Sequence, residues 1–450
     1  VTSNLFARAI VGRLGDDAFS DAAILQAMLR FEAALASAQA RLGLIPADAA
    51  DAIAQSAADM ALDADTLARD AAVAGSLAIP FVAALAAQVR SREAAAAAWV
   101  HFGATSQDVL DSALVLCARD ATRLLADALA AAGQEAARHA RAHASAPALA
   151  RTLLQPAGIT TLGVRFAQWA DALTGARRRL LASARDALAV SLGGASGNLA
   201  AWGGQGPALR ATLADALGLR DSGNTWHTLR APWLAHACEI ALAAGTLGKI
   251  AHDIALQAMA EIGELREPDA GGGGSTAMPH KRNPVLSMRI IATVQPLPGL
   301  TASLLAGVQQ QEQERALGNW QAELGQIPEL LTRACAAAGA MAELLAGLQV
   351  DAPRCRANIE ALHGTVFSES LAAALMPVLG RTEAQALVAG LCRQALDEGR
   401  HLREVLRSAA DARVRALPSA EIDALFDVDR AAAASVRLID PLLERAARAV

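Results

Sequence analysis

The sequence predicts an all-α protein, and three observations carry that expectation. Alanine and leucine supply most of a hydrophobic fraction of 54%, and both favour helix. Aromatic residues make up only 3%, and tyrosine is absent. Long stretches of the middle of the chain keep a helical pattern without the turn residues that would break it. At 450 residues the chain has length for two or three domains and for a substantial apolar core.

The elements follow in order along three zones. In residues 1–100, FSDAAILQAMLRFEAALASAQARLGLIP places apolar residues at three- and four-residue spacing and ends in the Gly43 to Pro46 turn, so it reads as one helix followed by shorter ones. The uncharged stretch at 71–89 approaches membrane length, but Gly75, Ser76 and Pro80 interrupt it, and it reads as buried helix and turn. Residues 101–350 carry much longer helical segments, at 110–143, 161–190, 232–265 and 284–313, which is the signature of a bundle. Segment 232–265 is apolar around most of its circumference, with Glu239, Lys249, His252, Asp253 and Glu261 among its few interruptions. Such a helix must be buried on all sides, and helices of other subunits supply that cover most easily. Residues 351–450 shorten again, with turns at Gly364, Gly380 and Pro418, and read as a small C-terminal helical domain.

The formal net charge of -5 argues against a nucleic-acid partner, so any anionic ligand must be held by local cations. The five cysteines, Cys117, Cys238, Cys335, Cys355 and Cys392, are scattered and lack CxxC spacing, which indicates neither a disulfide framework nor a zinc site. The opening VTSNLFARAIVGRLGDD does not read as a leader, and a cytoplasmic protein without a membrane partner is expected.

Three polar islands interrupt this apolar chain at helix boundaries. HFGATSQD, from His101 to Asp108, is either a helix cap, with Thr105 capping and Asp108 as its reciprocal partner, or a site where Thr105, Ser106 and free N–H groups receive a carboxylate. ARTLLQPAGITTLG, from Ala150 to Gly163, puts Arg151 and Gln155 on one side of a turn and by itself reads as an ordinary loop. GGGGSTAMPHKRNP, from Gly271 to Pro284, combines free backbone rotation with Ser275, Lys281 and Asn283, and Pro284 suits the first turn of the next helix. Lys281 is one of only two lysines in the chain, the other being Lys249. A solvated linker would tolerate arginine, whereas a small pocket or a tuned neighbour calls for a compact ammonium.

These islands resemble the fumarase/aspartase superfamily. GSTAMPHKRNP is similar to its signature almost letter for letter, and HFGATSQD and RTLLQPAGITTLG resemble its other two active-site segments in order and spacing. The resemblance implies an all-helical three-domain subunit in a homotetramer with a twenty-helix core, composite active sites and no metal or organic cofactor. It also implies that Ser275 is the base that removes a proton beside a carboxylate. The dianionic aci-carboxylate that results expels a group from the adjacent carbon. Lys281 then stabilises the dianion and Asn283 hydrogen-bonds it, within a loop that closes over the substrate.

The member is read from RTLLQ. Lyases of the family that release an amine usually read T-H-x-Q, and that histidine protonates the leaving group; here the position is Leu153. A carboxylate leaves as an anion of pKa about 4 and needs no such acid. The branch with that chemistry cycloisomerises muconates in aromatic catabolism, and TWHTLR (225–230) and QEQERALGNWQAE (311–323) resemble its segments. The resemblance thus makes Arg315, Arg151 and Arg230 candidate clamps for a small polycarboxylate substrate, with His101 supporting the site through a hydrogen bond. Leu153, where the branch often has tryptophan, and Leu229 and Ala231 depart from the branch pattern, which leaves a sulfonated muconate open as substrate. Adenylosuccinate- and argininosuccinate-type lyases are the alternative within the family. A non-catalytic reading is the alternative of another class, since the superfamily includes structural lens proteins that kept the fold, and the retained Ser275, Lys281 and Asn283 speak against it.

Overall fold

In a computed structural model, residues 5–11, 14–15, 17–268, 273–274, 277–415 and 418–448 are described. Helix α1 (Leu5–Ile10) precedes α2 (Asp21–Arg41), whose start is set by Ser20, its hydroxyl accepting the Ala23 N–H at 3.2 Å. Helices α3 (Ala47–Ala58), α4 (Ala64–Ala74) and α5 (Ala78–Arg92) follow. The uncharged stretch at 71–89 is the end of α4, a turn at Gly75 and most of α5, which buries Phe81, Leu85 and Val89, as helix and turn should.

The long elements come next: α6 (Ser106–Ala142), a hairpin of β1 (Pro147–Thr152) and β2 (Gln155–Thr161), α7 (Leu162–Ala187), α8 (Gly206–Leu217) and α9 (Ala231–Gln257). Strand β3 (Leu265–Arg266) leads to α10 (Val285–Val294), α11 (Leu297–Val308), α12 (Asn319–Ala346) and β4 (Gln349–Val350), which pairs antiparallel with β3. The C-terminal part holds α13 (Ala352–Glu360), α14 (Ser368–Leu379), α15 (Arg381–Glu398), α16 (Leu402–Arg407), α17 (Ala412–Arg415), α18 (Ser419–Leu425), α19 (Val428–Val436) and α20 (Ile439–Arg448). The all-α expectation holds, with one β-hairpin and one short pair of distant strands added.

Three boundaries differ from the sequence reading. The segment at 232–265 leaves the helix after Gln257, because Gly263 takes a left-handed turn (φ 63°) that brings the Glu264 N–H back to the Gln257 carbonyl at 3.0 Å. The segment at 284–313 is two helices, broken where Pro296 has no N–H to give the ladder and restricts Gln295 before it. The second island is a β-hairpin rather than a loop, and its turn residues Leu153 and Leu154 both have positive φ, 51° and 64°.

The chain divides into two compact units. The first gathers 1–129, 176–248 and 289–340, where α2 packs on α3 and α8. The second gathers 130–175, 249–288 and 341–450. Its C-terminal helices close around Phe367, Leu371, Leu375, Val388, Leu402 and Leu406, with Ile159 of β2 packed against them.

Two stretches, Ala231–Gln257 and Val285–Val308, are long and apolar enough to cross a membrane by length and composition alone. Only 28% of the apolar window of the second is buried within the chain, and Leu242, Met288 and Leu305 stand exposed along the two.

Candidate active site

In the first unit the organising group is Asp108, in the first turn of α6 and fully buried. Its carboxylate accepts the Thr105 N–H at 3.0 Å, the reciprocal half of the expected cap. It also accepts the Gly193 and Gly194 N–H groups at 2.8 and 3.0 Å, and His227 Nε2 at 2.8 Å. Glycine is required at both loop positions: a Cβ on Gly193 would lie 2.5 Å from the Thr225 methyl, and Gly194 has φ 71°. One buried carboxylate therefore ties the α6 N-terminus, the 193–195 loop and the TWHT segment together. The Thr105 and Ser106 hydroxyls, half-buried at that N-terminus, make no hydrogen bond among the described residues. They and the first N–H groups of the helix remain for an anionic ligand.

Arg315 holds the same loop from its other side, donating to the Gly194 and Ala195 carbonyls at 3.3 and 3.0 Å. It has no carboxylate partner among the described residues, so its charge is uncompensated there. His101, with φ 58°, turns Nδ1 onto Glu32 of α2 at 2.6 Å. Burial pushes the His101 pKa down, but the charges of Glu32 and Asp108 outweigh it and the net shift is upward.

Arg230 requires a correction. Expected as a substrate clamp, it is fully buried, with Nε donating to Glu323 at 2.7 and 2.8 Å. Its Nη1 and Nη2 donate to Asp111 at 2.9 and 3.0 Å, and the guanidinium lies over the Trp226 ring, 4.8 Å from its centroid. Two carboxylates saturate the fork, so no face is left for substrate. Burial pushes the Glu323 carboxyl up, helped by the Asp111 charge and only partly opposed by Arg230.

In the second unit Arg151 forms a bidentate pair with Glu264, at 3.0 and 2.6 Å. Glu264 is fully buried and also accepts from Asn358 at 3.0 Å, with Arg165 at 3.9 Å. Arg151 and Arg165 thus converge on one buried carboxylate, with Arg151 one residue from the hairpin turn. Gln155 opens β2 opposite Thr152 and is exposed, and Leu153 at the tip is 96% exposed.

The glycine-rich segment is pinned at its neck. The Asn283 N–H donates to the Gly273 carbonyl at 2.8 Å, and Glu267 accepts the Leu286 and Ser287 N–H groups at 2.8 Å each, capping α10. Lys281 is exposed, Asn283 is half-buried, and Ser275 lies outside the described residues.

Sequence reading found the islands but missed what fastens them. Glu32, Asp111 and Glu323 were not singled out, and Asp108 was read only as a cap. Glu32 had a legible signal, a carboxylate seven residues before Gln39 within the apolar stripe of the first long helix.

The predominantly helical fold, taken with the comparisons that follow, is that of an enzyme of the lyase class. A family model described as Lyase matches residues 7–294, and one described as Adenylosuccinate lyase C-terminus matches 364–442. The chain belongs to this lyase family, the fumarase/aspartase superfamily. It is 45% identical over 414 residues, 91% of this chain and 89% of the relative, to the 3-carboxy-cis,cis-muconate cycloisomerase of Pseudomonas aeruginosa. It is 41% identical over 459 residues, 100% of this chain and 96% of the relative, to the nitrosuccinate lyase of Streptomyces davaonensis. The solved 3-carboxy-cis,cis-muconate lactonizing enzyme of Pseudomonas putida superposes with a TM-score of 0.91 at 37% identity, covering 99% of each chain.

Proposed function

We propose that the protein interconverts 3-carboxy-cis,cis-muconate and its γ-lactone, 4-carboxymuconolactone, in the breakdown of protocatechuate-type aromatics. The observation that carries this is Leu153, which stands where amine-releasing members place their acid and projects an apolar side chain from the hairpin tip. The cycloisomerase relatives at 45% and 41% identity support it.

In the lactonising direction a substrate carboxylate oxygen bonds to one carbon of the conjugated double bond. The π electrons move to the neighbouring carbon and its carboxylate, forming the aci-dianion, and that carbon takes a proton from the Ser275 hydroxyl. In reverse, Ser275 as alkoxide removes that proton, and the ring C–O bond breaks with its electrons on the departing carboxylate. Lys281 stabilises the dianion and lowers the cost of the serine alkoxide, and Asn283 donates to the same oxygens. Thr105, Ser106, Gln155, Arg315 and the Arg151 cluster hold the remaining carboxylates, and His101 assists at the α6 end.

We propose further that the subunit has three domains, divided near residues 100 and 350, and works in the cytoplasm as a homotetramer with composite sites. The uncovered apolar sides of α9, α10 and α11 support this, since further copies of the chain would bury them.

A second reading rests on the same leucine. Nitrite, like carboxylate, is a weakly basic anion that leaves without an acid, and the nitrosuccinate lyase relative matches the chain from end to end. An ultraviolet assay with 3-carboxymuconate, nitrosuccinate and adenylosuccinate in parallel decides. The diene absorbance falls with the first, without added metal and with EDTA present; faster release of fumarate from adenylosuccinate would overturn the assignment.

A further inference from the structure

Helix α2 carries two polar side chains on the face it buries. Glu32 and Gln39 are 1% and 0% exposed and sit seven residues apart, two turns of one stripe, among Met28, Leu29, Phe31, Leu35 and Ala36. Both reach the same turn: Glu32 takes His101 Nδ1 at 2.6 Å, and Gln39 Nε2 donates to the Phe102 carbonyl at 2.7 Å. That turn is strained, since His101 has φ 58°, a conformation that costs a non-glycine residue on the order of 1 kcal/mol or more. Strain of this kind persists only where surrounding contacts over-determine it, and here they are two buried polar groups on a helix that could have been wholly apolar. Among the described residues the Glu32 Oε2 atom has no hydrogen-bond partner, so the helix carries the cost of a buried carboxylate that the His101 ring relieves.

We infer that Glu32 is a positioning residue, which fixes the His101 ring with Nδ1 engaged, so that Nε2–H is offered to a substrate carboxylate beside the α6 N-terminus. The inference rests on the proposed reading of that N-terminus as a carboxylate site. His101 lies four residues before Thr105, and the Ala104 N–H donates to its carbonyl at 3.2 Å, so the ring and the helix end move as one piece. The charged groups that act on the ring are Glu32 of α2 and Asp108 of α6. Their direction is upward for the imidazole pKa, so binding through the imidazolium is complete at lower pH and is lost as pH rises through the folded-state value.

The test pairs Glu32→Gln, which keeps shape and removes charge, with His101→Asn, which removes the ring. Histidine labelled with carbon-13 reports the ring titration, and the signal missing from His101→Asn assigns it. Glu32→Gln is expected to move the His101 titration to lower pH. Each variant raises KM for 3-carboxymuconate about ten- to a hundredfold, the loss expected for one charged hydrogen bond, with a smaller change in kcat. The rise of KM with pH shifts to lower pH in Glu32→Gln and disappears in His101→Asn. An unchanged ring titration in Glu32→Gln overturns the inference, and so does an unchanged KM in His101→Asn, which also decides if Glu32→Gln does not fold. A wild-type protein with no turnover of 3-carboxymuconate refutes the proposed function instead, and the ring titration then still decides the role of Glu32.

Discussion

Replacing Arg230 with methionine separates a structural arginine from a substrate clamp. The side chain is fully buried, and its fork satisfies Asp111 and Glu323 with hydrogen bonds of 2.7 to 3.0 Å. Methionine fills much of the volume but leaves two carboxylates in the core without their cation. Breaking a buried pair this way costs about 3–5 kcal/mol, and two anions facing each other place this site at the upper end. The cost depends on pH. Without Arg230 both folded-state carboxyl pKa values rise above their unfolded values, so the protonated forms favour the folded protein. The variant is then least unstable at low pH and loses stability as pH rises through those folded values. Urea unfolding followed by circular dichroism at pH 5 and pH 7 measures this. The midpoint should drop at both, more at pH 7, and Arg230→Met combined with Asp111→Asn and Glu323→Gln should regain most of the loss. A single variant with the wild-type midpoint and a hundredfold higher KM would refute the reasoning and restore Arg230 as a substrate contact.

Asp108→Asn removes the charge that four donors share, and should cost about 2–3 kcal/mol in the urea midpoint while lowering kcat/KM, because the 193–195 loop and the α6 end lose their common anchor. Lys281→Arg should lower kcat about a hundredfold or more with the fold intact by circular dichroism, since the planar fork cannot take the place of a compact ammonium; retention of most of kcat would remove the argument from the retained lysine. Leu154→Gly relieves a left-handed conformation at a mostly exposed tip and should stabilise the isolated subunit by roughly 1 kcal/mol in thermal unfolding, whereas a loss of stability would mean the leucine is covered in the assembly. Ser275→Ala and Gln155→Ala subunits, each inactive alone, should regain activity when unfolded and refolded together, with about a quarter of the sites carrying both native side chains; no recovery in confirmed mixed tetramers would place both residues in one subunit.

Much of this was legible in the chain because it rests on local rules. The α6 start at Ser106 follows from Thr105 and Asp108, and the shortening of helices beyond residue 351 follows from Gly364, Gly380 and Pro418. The break at Pro296 was also written locally, in QPLPG, but the apolar periodicity on both sides of it hid the interruption. The β1–β2 hairpin was not legible: its turn uses two leucines with positive φ where glycine or asparagine would announce it. The roles of Asp108 and Arg230 depend on partners 85 to 119 positions away, which no spacing rule reveals. Arg230 matched a substrate-binding pattern by type and segment, and only burial with two carboxylates distinguishes a core hub from a clamp.

The central claim is that one proton and one carboxylate are exchanged at adjacent carbons, with no acid for the leaving group. Lactonisation of 3-carboxy-cis,cis-muconate in deuterium oxide, followed by proton NMR of the product, tests it most directly. The account predicts a γ-lactone with a single deuterium on the carbon beside the carboxylate, delivered through the Ser275 hydroxyl, and no product from Ser275→Ala. Two deuteriums at that carbon, an undeuterated lactone, or undiminished turnover by Ser275→Ala would contradict it.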